Sequence, residues 1–163
     1  MSNDSHVILR VRMEAVRMEL GNEYRLSRVP DVEQMQRLAR ELRSRLSAAL
    51  SEGSAGAMAA ALDWRYSRRP IGAPKDSTVQ SLLVPLNVGG FSIVVNAHHA
   101  RTDLEALWLA AHEVGHSFFY AGGTPPRRIV PCSDQEERFC DDFADELLLD
   151  LGAPRTPRLS LVG

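Results

Sequence analysis

Residues 112–116 spell His112-Glu113-Val114-Gly115-His116, an H-E-x-x-H pattern. On a helix, positions four apart share a face, one turn apart. Two imidazoles so placed can converge on one cation. Glu113, the next residue round, can then reach a water molecule at that cation. This spacing suits metal-assisted hydrolysis, with two His ligands and a Glu as general base. The five letters alone are weak, because wet helix faces often carry His and Glu. The surrounding elements decide.

The flanking sequence predicts a helix. Thr102-Asp103-Leu104-Glu105 forms a capping box, with Thr102 as N-cap and Glu105 at N3. Leu104, Leu107, Trp108, Ala111, Val114, Gly115, Phe118 and Phe119 then make one broad apolar stripe. At about 100° per residue, His112 and His116 fall on the rim of that stripe. A rim suits a ligand, which needs a packed body and an open tip. Gly115 implies a close neighbour, since Gly in a helix interior costs about 1 kcal/mol against Ala. Gly122-Gly123 is read as the helix end.

A tetrahedral catalytic zinc takes a third protein ligand and keeps one position open. Ser133-Asp134-Gln135-Glu136 is a second capping box, predicting a helix to about Leu151. Phe139, Cys140, Phe143, Ala144, Leu147, Leu148 and Leu151 form its apolar stripe. The cap accounts for Glu136. Glu137 and Asp141 lie together on one edge of the stripe, one turn apart. Glu137 is the candidate third ligand. Asp141 is the candidate acceptor for the free ring N–H of a ligand His. Asp142, Asp145 and Glu146 read as a solvated acidic face.

The pair of segments, His112 to His116 and Glu137-Arg138-Phe139-Cys140-Asp141-Asp142-Phe143-Ala144-Asp145-Glu146-Leu147-Leu148, resembles the ImmA/IrrE family of zinc metallopeptidases. That family joins an H-E-x-x-H helix to a later E-x-x-A-[ND]-x-F-A-x-x-L-L helix. The resemblance covers about residues 91–149. It implies a gluzincin-like site, with His112, His116 and Glu137 as Zn²⁺ ligands and Glu113 as the base. It also implies a small cytoplasmic bacterial protein that cleaves or inactivates a transcriptional repressor. Cys140 stands where the family usually has Ala, and no repressor-type helix-turn-helix is evident.

The rest of the chain must position these helices. The 163 residues are 44% apolar and 25% charged, with a net charge of −2. One domain with a sizeable core is expected, with no bulk attraction to nucleic acid or membrane. Two cysteines make no disulfide framework. Residues 1–16 show no apolar signal-peptide core, and no run reaches membrane-span length, so a cytoplasmic setting is expected. Residues 7–26 fit a hairpin or a helix, with the hairpin preferred. Pro30-Asp31 opens an amphipathic helix whose Arg37, Arg40, Arg43 and Arg45 are read as a solvated face. Residues 57–63 predict a short helix, and Trp64 with Tyr66 an aromatic anchor beside a loop. Residues 79–84 and 91–97 predict strands, with Pro85 arguing for an edge or a bulge. The strand beginning at Phe91 is a candidate edge for an extended peptide.

Further candidates lie around the motif. His99, in the pair His98-His99, reads either as an oxyanion or substrate contact or as an exposed loop residue. Tyr120, one turn past His116, reads as an oxyanion donor or as a cap on the helix end. Cys132 and Cys140 are possible zinc thiolates or a redox pair, and Cys140, on the apolar stripe, suits a buried inert thiol.

The expected architecture is α+β, a small zincin-like domain. The H-E-x-x-H helix packs on a short β-sheet, beside a second ligand-bearing helix. Residues 1–66 are scaffold, 67–151 the catalytic core, and 152–163 a tail. The expected function is zinc-dependent endopeptidase activity on a protein or peptide. The alternatives are a non-hydrolytic regulatory binding module that keeps the fold, and a structural zinc closed by Cys132 or Cys140.

Overall fold

The structure, a computed structural model, describes residues 29–151 apart from Asp76 and Val130. The expected hairpin at residues 7–26 and the tail beyond Leu151 lie outside the described residues. In chain order the elements are α1 (Val32–Arg45), α2 (Ser47–Ser51), α3 (Ala55–Ala61), β1 (Arg65–Arg69), β2 (Ser81–Pro85), β3 (Phe91–Asn96), α4 (Asp103–Ser117), β4 (Tyr120–Ala121), β5 (Arg127–Arg128) and α5 (Asp134–Leu147). A 3₁₀ turn, Leu149–Leu151, follows α5. This is an α+β arrangement. Among the described residues no helix is long and apolar enough to cross a membrane.

Local chemistry fixes the helix starts. Asp31 caps α1 and forms a reciprocal box with Gln34. Thr102 and Glu105 form the expected box at α4. At α5 only half of the expected box forms: Ser133 Oγ accepts from the Glu136 N–H at 3.2 Å. The Glu136 side chain turns inward instead, with consequences for the site.

The main sheet has the order β1-β3-β2. β3 runs parallel to β1 and antiparallel to β2. β1 comes from the Trp64–Tyr66 region read above as an anchor beside a loop, and it crosses the expected boundary at residues 66 and 67. Its sequence, Arg65-Tyr66-Ser67-Arg68-Arg69, lacks apolar alternation, so pairing with β3 decides its state. β3 is therefore the central strand and offers no free edge. The edge strand that follows β3 in the sheet is β2, and Pro85 sits at its end as expected. The β2–β3 turn is closed by the Leu86 and Gly89 N–H groups, at 3.0 and 2.9 Å. Gly89 and Gly90 both hold positive φ there, a conformation that side chains disfavour.

α4 is the centre of the fold. It packs against α5 on one side and against α3, β2 and β3 on others. It is buried on nearly its whole circumference, from Ala106 to Ala111 and from Glu113 to Ser117. The expected single stripe is thus too narrow a description, and the buried set includes the polar Glu113, His116 and Ser117. α4 ends at Ser117, before the expected Gly122-Gly123 stop. Phe118 caps it, and the chain passes directly into the β4–β5 hairpin. α5 is held to α1 as well. Arg40 pairs with the Glu146 carboxylate at 3.4 Å, and Arg43 donates to the Glu146 carbonyl at 2.9 Å.

Gly115 is explained by that packing. A Cβ at Gly115 would lie 3.1 Å from both Cα and Sγ of Cys140 on α5. The α4 backbone therefore rests on Cys140, which is fully buried. Gly115→Ala should destabilise the protein by about 1–3 kcal/mol, despite the higher helix propensity of Ala. Urea unfolding monitored by circular dichroism measures this. An unchanged or raised midpoint would show that α5 moves aside freely.

Candidate metal centre

α4 and α5 bring the two sequence segments together. His112 and His116 lie one turn apart on α4, and their Nε2 atoms are 3.0 Å apart. Each Nδ1 is occupied by a carboxylate. His112 Nδ1 lies 2.9 Å from Asp141 Oδ1, and His116 Nδ1 lies 2.7 Å from Glu136 Oε1. A carboxylate accepts, so both Nδ1 atoms carry the proton. In the neutral rings both Nε2 atoms are then bare lone pairs, pointed at each other. Glu137 completes the triangle, with Oε2 at 3.2 Å from His112 Nε2 and Oε1 at 3.3 Å from His116 Nε2.

Three electron-pair donors converge, with only another proton or a cation to reconcile them. Zinc bonds of about 2.0–2.1 Å at tetrahedral angles put ligand atoms roughly 3.3 Å apart. The observed separations of 3.0, 3.2 and 3.3 Å match that spacing. Two neutral imidazoles and one carboxylate are also the donor set zinc accepts.

Titration behaviour follows from the same crowding. Burial opposes charge on His112, but the Asp141 and Glu137 carboxylates outweigh it and hold the imidazole up at about 9. Burial likewise opposes charge on His116. Hydrogen bonds with Cys140, Glu136 and Glu137 outweigh it and push the ring far above the ordinary value. Glu137 accepts from His112 and then His116, which holds it well below the usual carboxylate range. In the absence of metal, protons occupy the place a cation would take.

Glu113 is buried and lies close to both rings: its carboxylate and a nitrogen from each ring fall within 4.8 Å of one another. Ser81 Oγ on β2 donates to Glu113 Oε1 at 2.6 Å. Ser81 thus ties one carboxylate oxygen to β2.

Behind the two imidazoles sits a buried carboxylate. Glu136 is completely buried and bridges His116 to Arg128 of β5. Arg128 also lies over the Tyr120 ring, 5.0 Å from its centroid. Trp108 stands beside His112, with ring centroids 5.8 Å apart, and its Nε1 donates to Asp145 at 2.9 Å. Asp145 and Glu146 are therefore structural partners rather than part of a solvated face.

His99 and Tyr120 make other contacts. His99 Nε2 is 2.9 Å from the Ser77 carbonyl. Asn96, wholly buried, organises that loop by donating to Ser77 Oγ and the Val79 carbonyl, both at 2.7 Å. Tyr120 is buried edge-on against Phe91, with ring centroids 5.1 Å apart. Among the described residues neither His99 nor Tyr120 hydrogen-bonds to the two imidazoles, Glu113 or Glu137. Cys140 is buried under Gly115, and burial first among its causes pushes its thiol up to about 12. Cys132 is exposed and lies at the site, with Sγ 3.4 Å from Glu137 Oε1.

Sequence reasoning missed Glu136, Arg128 and Ser81. For Glu136 a signal existed. It precedes Cys140 by four, Phe143 by seven and Leu147 by eleven, and so lies on the apolar stripe. A carboxylate at such a place must be paired. Arg128 and Ser81 carried none, because they reach the site through tertiary pairing. Comparison with protein-family models, with curated proteins and with solved structures gave no match.

Proposed function

We propose that the protein is a zincin-like, zinc-dependent endopeptidase. The observation that carries this is the facing pair of Nε2 atoms, 3.0 Å apart, with both Nδ1 positions taken by carboxylates and Glu137 closing the triangle. His112, His116 and Glu137 would hold the ion. Zinc at this place supplies Lewis acidity toward a water molecule and a scissile carbonyl.

The chain's own residues do the rest. Glu113 takes the proton of the water as its oxygen attacks the carbonyl carbon. It then gives that proton to the leaving amine as the C–N bond breaks. Ser81 holds Glu113 in place for both transfers. Asp141 and Glu136 keep the imidazoles in the tautomer whose Nε2 is free to ligate. The resemblance to ImmA/IrrE peptidases supports a protein substrate of the regulatory kind, such as a transcriptional repressor.

The first test is the zinc content of the purified protein by elemental analysis, with Glu137→Ala alongside. One zinc per chain is expected, and it should be lost in the variant. No uptake of added Zn²⁺ would end the proposal, and zinc retained in Glu137→Ala would remove Glu137 from the ligand set. Protons and metal compete for the same two Nε2 atoms. Zinc uptake near neutral pH should therefore release protons, and apparent affinity should climb as pH rises toward about 9, where His112 gives up its proton. Competition titration across pH checks the sign. A flat profile would separate the imidazoles from the metal.

A further inference from the structure

Cys132 immediately precedes Ser133, the N-cap of α5, and so reaches the site from the loop side. Its Sγ lies 3.4 Å from Glu137 Oε1, the same oxygen that lies 3.3 Å from His116 Nε2. Sγ, a ring nitrogen of His116 and a carboxylate oxygen of Glu136 all fall within 4.8 Å of one another. The cysteine is thus not isolated. It abuts a converging donor set in which His116, nine-tenths buried, turns Nε2 toward His112 Nε2 at 3.0 Å and Glu137 Oε1 at 3.3 Å. A tetrahedral zinc held by two His and one Glu has one position left.

We propose that the Cys132 thiolate is a fourth, displaceable donor that closes the site in the resting protein. This rests on the zinc reading above and adds regulation to it. Thiolate is a stronger zinc donor than water and gives up its proton on coordination. The position that catalysis needs open would then be filled from within the chain. Cys132 is exposed and lies outside the helix, so it can leave without unpacking the core. Cys140, buried beneath Gly115, has no such freedom.

Cobalt substitution reads the ligand directly. Co²⁺ added to the metal-free full chain should bind one per chain and show a thiolate-to-cobalt charge-transfer band in the near ultraviolet. Cys132→Ser should still bind one Co²⁺ but lose the band. Cobalt bound without the band in wild type, or a band that survives in Cys132→Ser, would overturn the thiolate donor and leave the three-ligand site standing. No cobalt uptake at all would overturn the metal reading together with it. A second measurement needs no variant. Iodoacetamide alkylation of Cys132, followed by mass spectrometry, should slow when Zn²⁺ is bound. Equal rates with and without Zn²⁺ would also overturn the proposal.

Discussion

Glu113→Gln should keep one zinc per chain and lose peptide hydrolysis by about 10²–10⁴-fold, the usual contribution of a general base. The separation of the two readouts follows from the geometry. The triangle of facing donor atoms consists of His112, His116 and Glu137, and Glu113 is not one of its corners. Gln keeps the size of Glu and an oxygen that can still accept from Ser81. What it loses is the capacity to take a proton from water. The substrate can be found in the same experiment. A broad peptide library incubated with each protein and read by mass spectrometry reports cleavage without prior choice of sequence. Equal cleavage by the two proteins would remove Glu113 from the role of base. Zinc lost from the variant would instead make Glu113 a ligand.

That pair of readouts also separates hydrolysis from a binding role that keeps the same fold. A non-hydrolytic module would hold zinc in both proteins and cleave nothing in either. The buried Glu113, close to both rings, favours hydrolysis, because a site meant only to bind has no use for a buried base. A structural zinc predicts something else again: chelation should unfold the protein. Here the core runs through α1, α3, α4, α5 and the sheet, and includes Leu42, Met58, Ile93, Val114, Phe118 and Phe143. A core of that extent predicts that chelation leaves the fold intact.

The sequence carried the centre of the site and little of its surroundings, for physical reasons. His112, Glu113 and His116 are local to one helix, so helical spacing places them without any tertiary knowledge. Glu137 and Asp141 are local to another, and their shared edge was legible in the same way. The pairing of Asp141 with His112 joins two helices, yet both faces were readable, and the structure puts them 2.9 Å apart. β1 was not legible, because Arg65-Tyr66-Ser67-Arg68-Arg69 has no alternation and becomes a strand only beside β3. The end of α4 was misplaced for a similar reason. Glycines are the local stop signal, but Tyr120 and Ala121 are drawn into pairing with Arg128 and Arg127 before the glycines are reached. Asp145 looked solvated because its partner, the Trp108 indole, lies 37 positions away. Glu136 was assigned to a cap because its backbone does sit in one, while its side chain answers to His116 and Arg128.

That double duty makes Glu136 the position where a single change should cost most. The carboxylate is fully buried, one oxygen facing His116 Nδ1 and the other facing Arg128. Glu136→Ala removes the acceptor from both partners at once. It takes the shared carboxylate away from an Arg side chain 28% exposed and an imidazole 11% exposed. Breaking a buried pair from one end typically costs about 3–5 kcal/mol, much of it the cost of leaving the other charge unpaired. Loss of the carboxylate behind a ligating imidazole lowers metal affinity by about 10–100-fold. Both effects should therefore appear in Glu136→Ala: a large fall in the urea midpoint and a weaker zinc titration. Glu136→Gln keeps the shape and one acceptor, so it should recover part of the stability and less of the affinity. Asp141→Asn is the contrast. Asp141 is half-buried, with 29% of its side chain exposed, and pairs with His112 at 2.9 Å. It should weaken zinc and scarcely move the unfolding midpoint. If Glu136→Ala and Asp141→Asn proved equally stable, the buried bridge from β5 through Glu136 to His116 would not be what holds α4, α5 and the hairpin together.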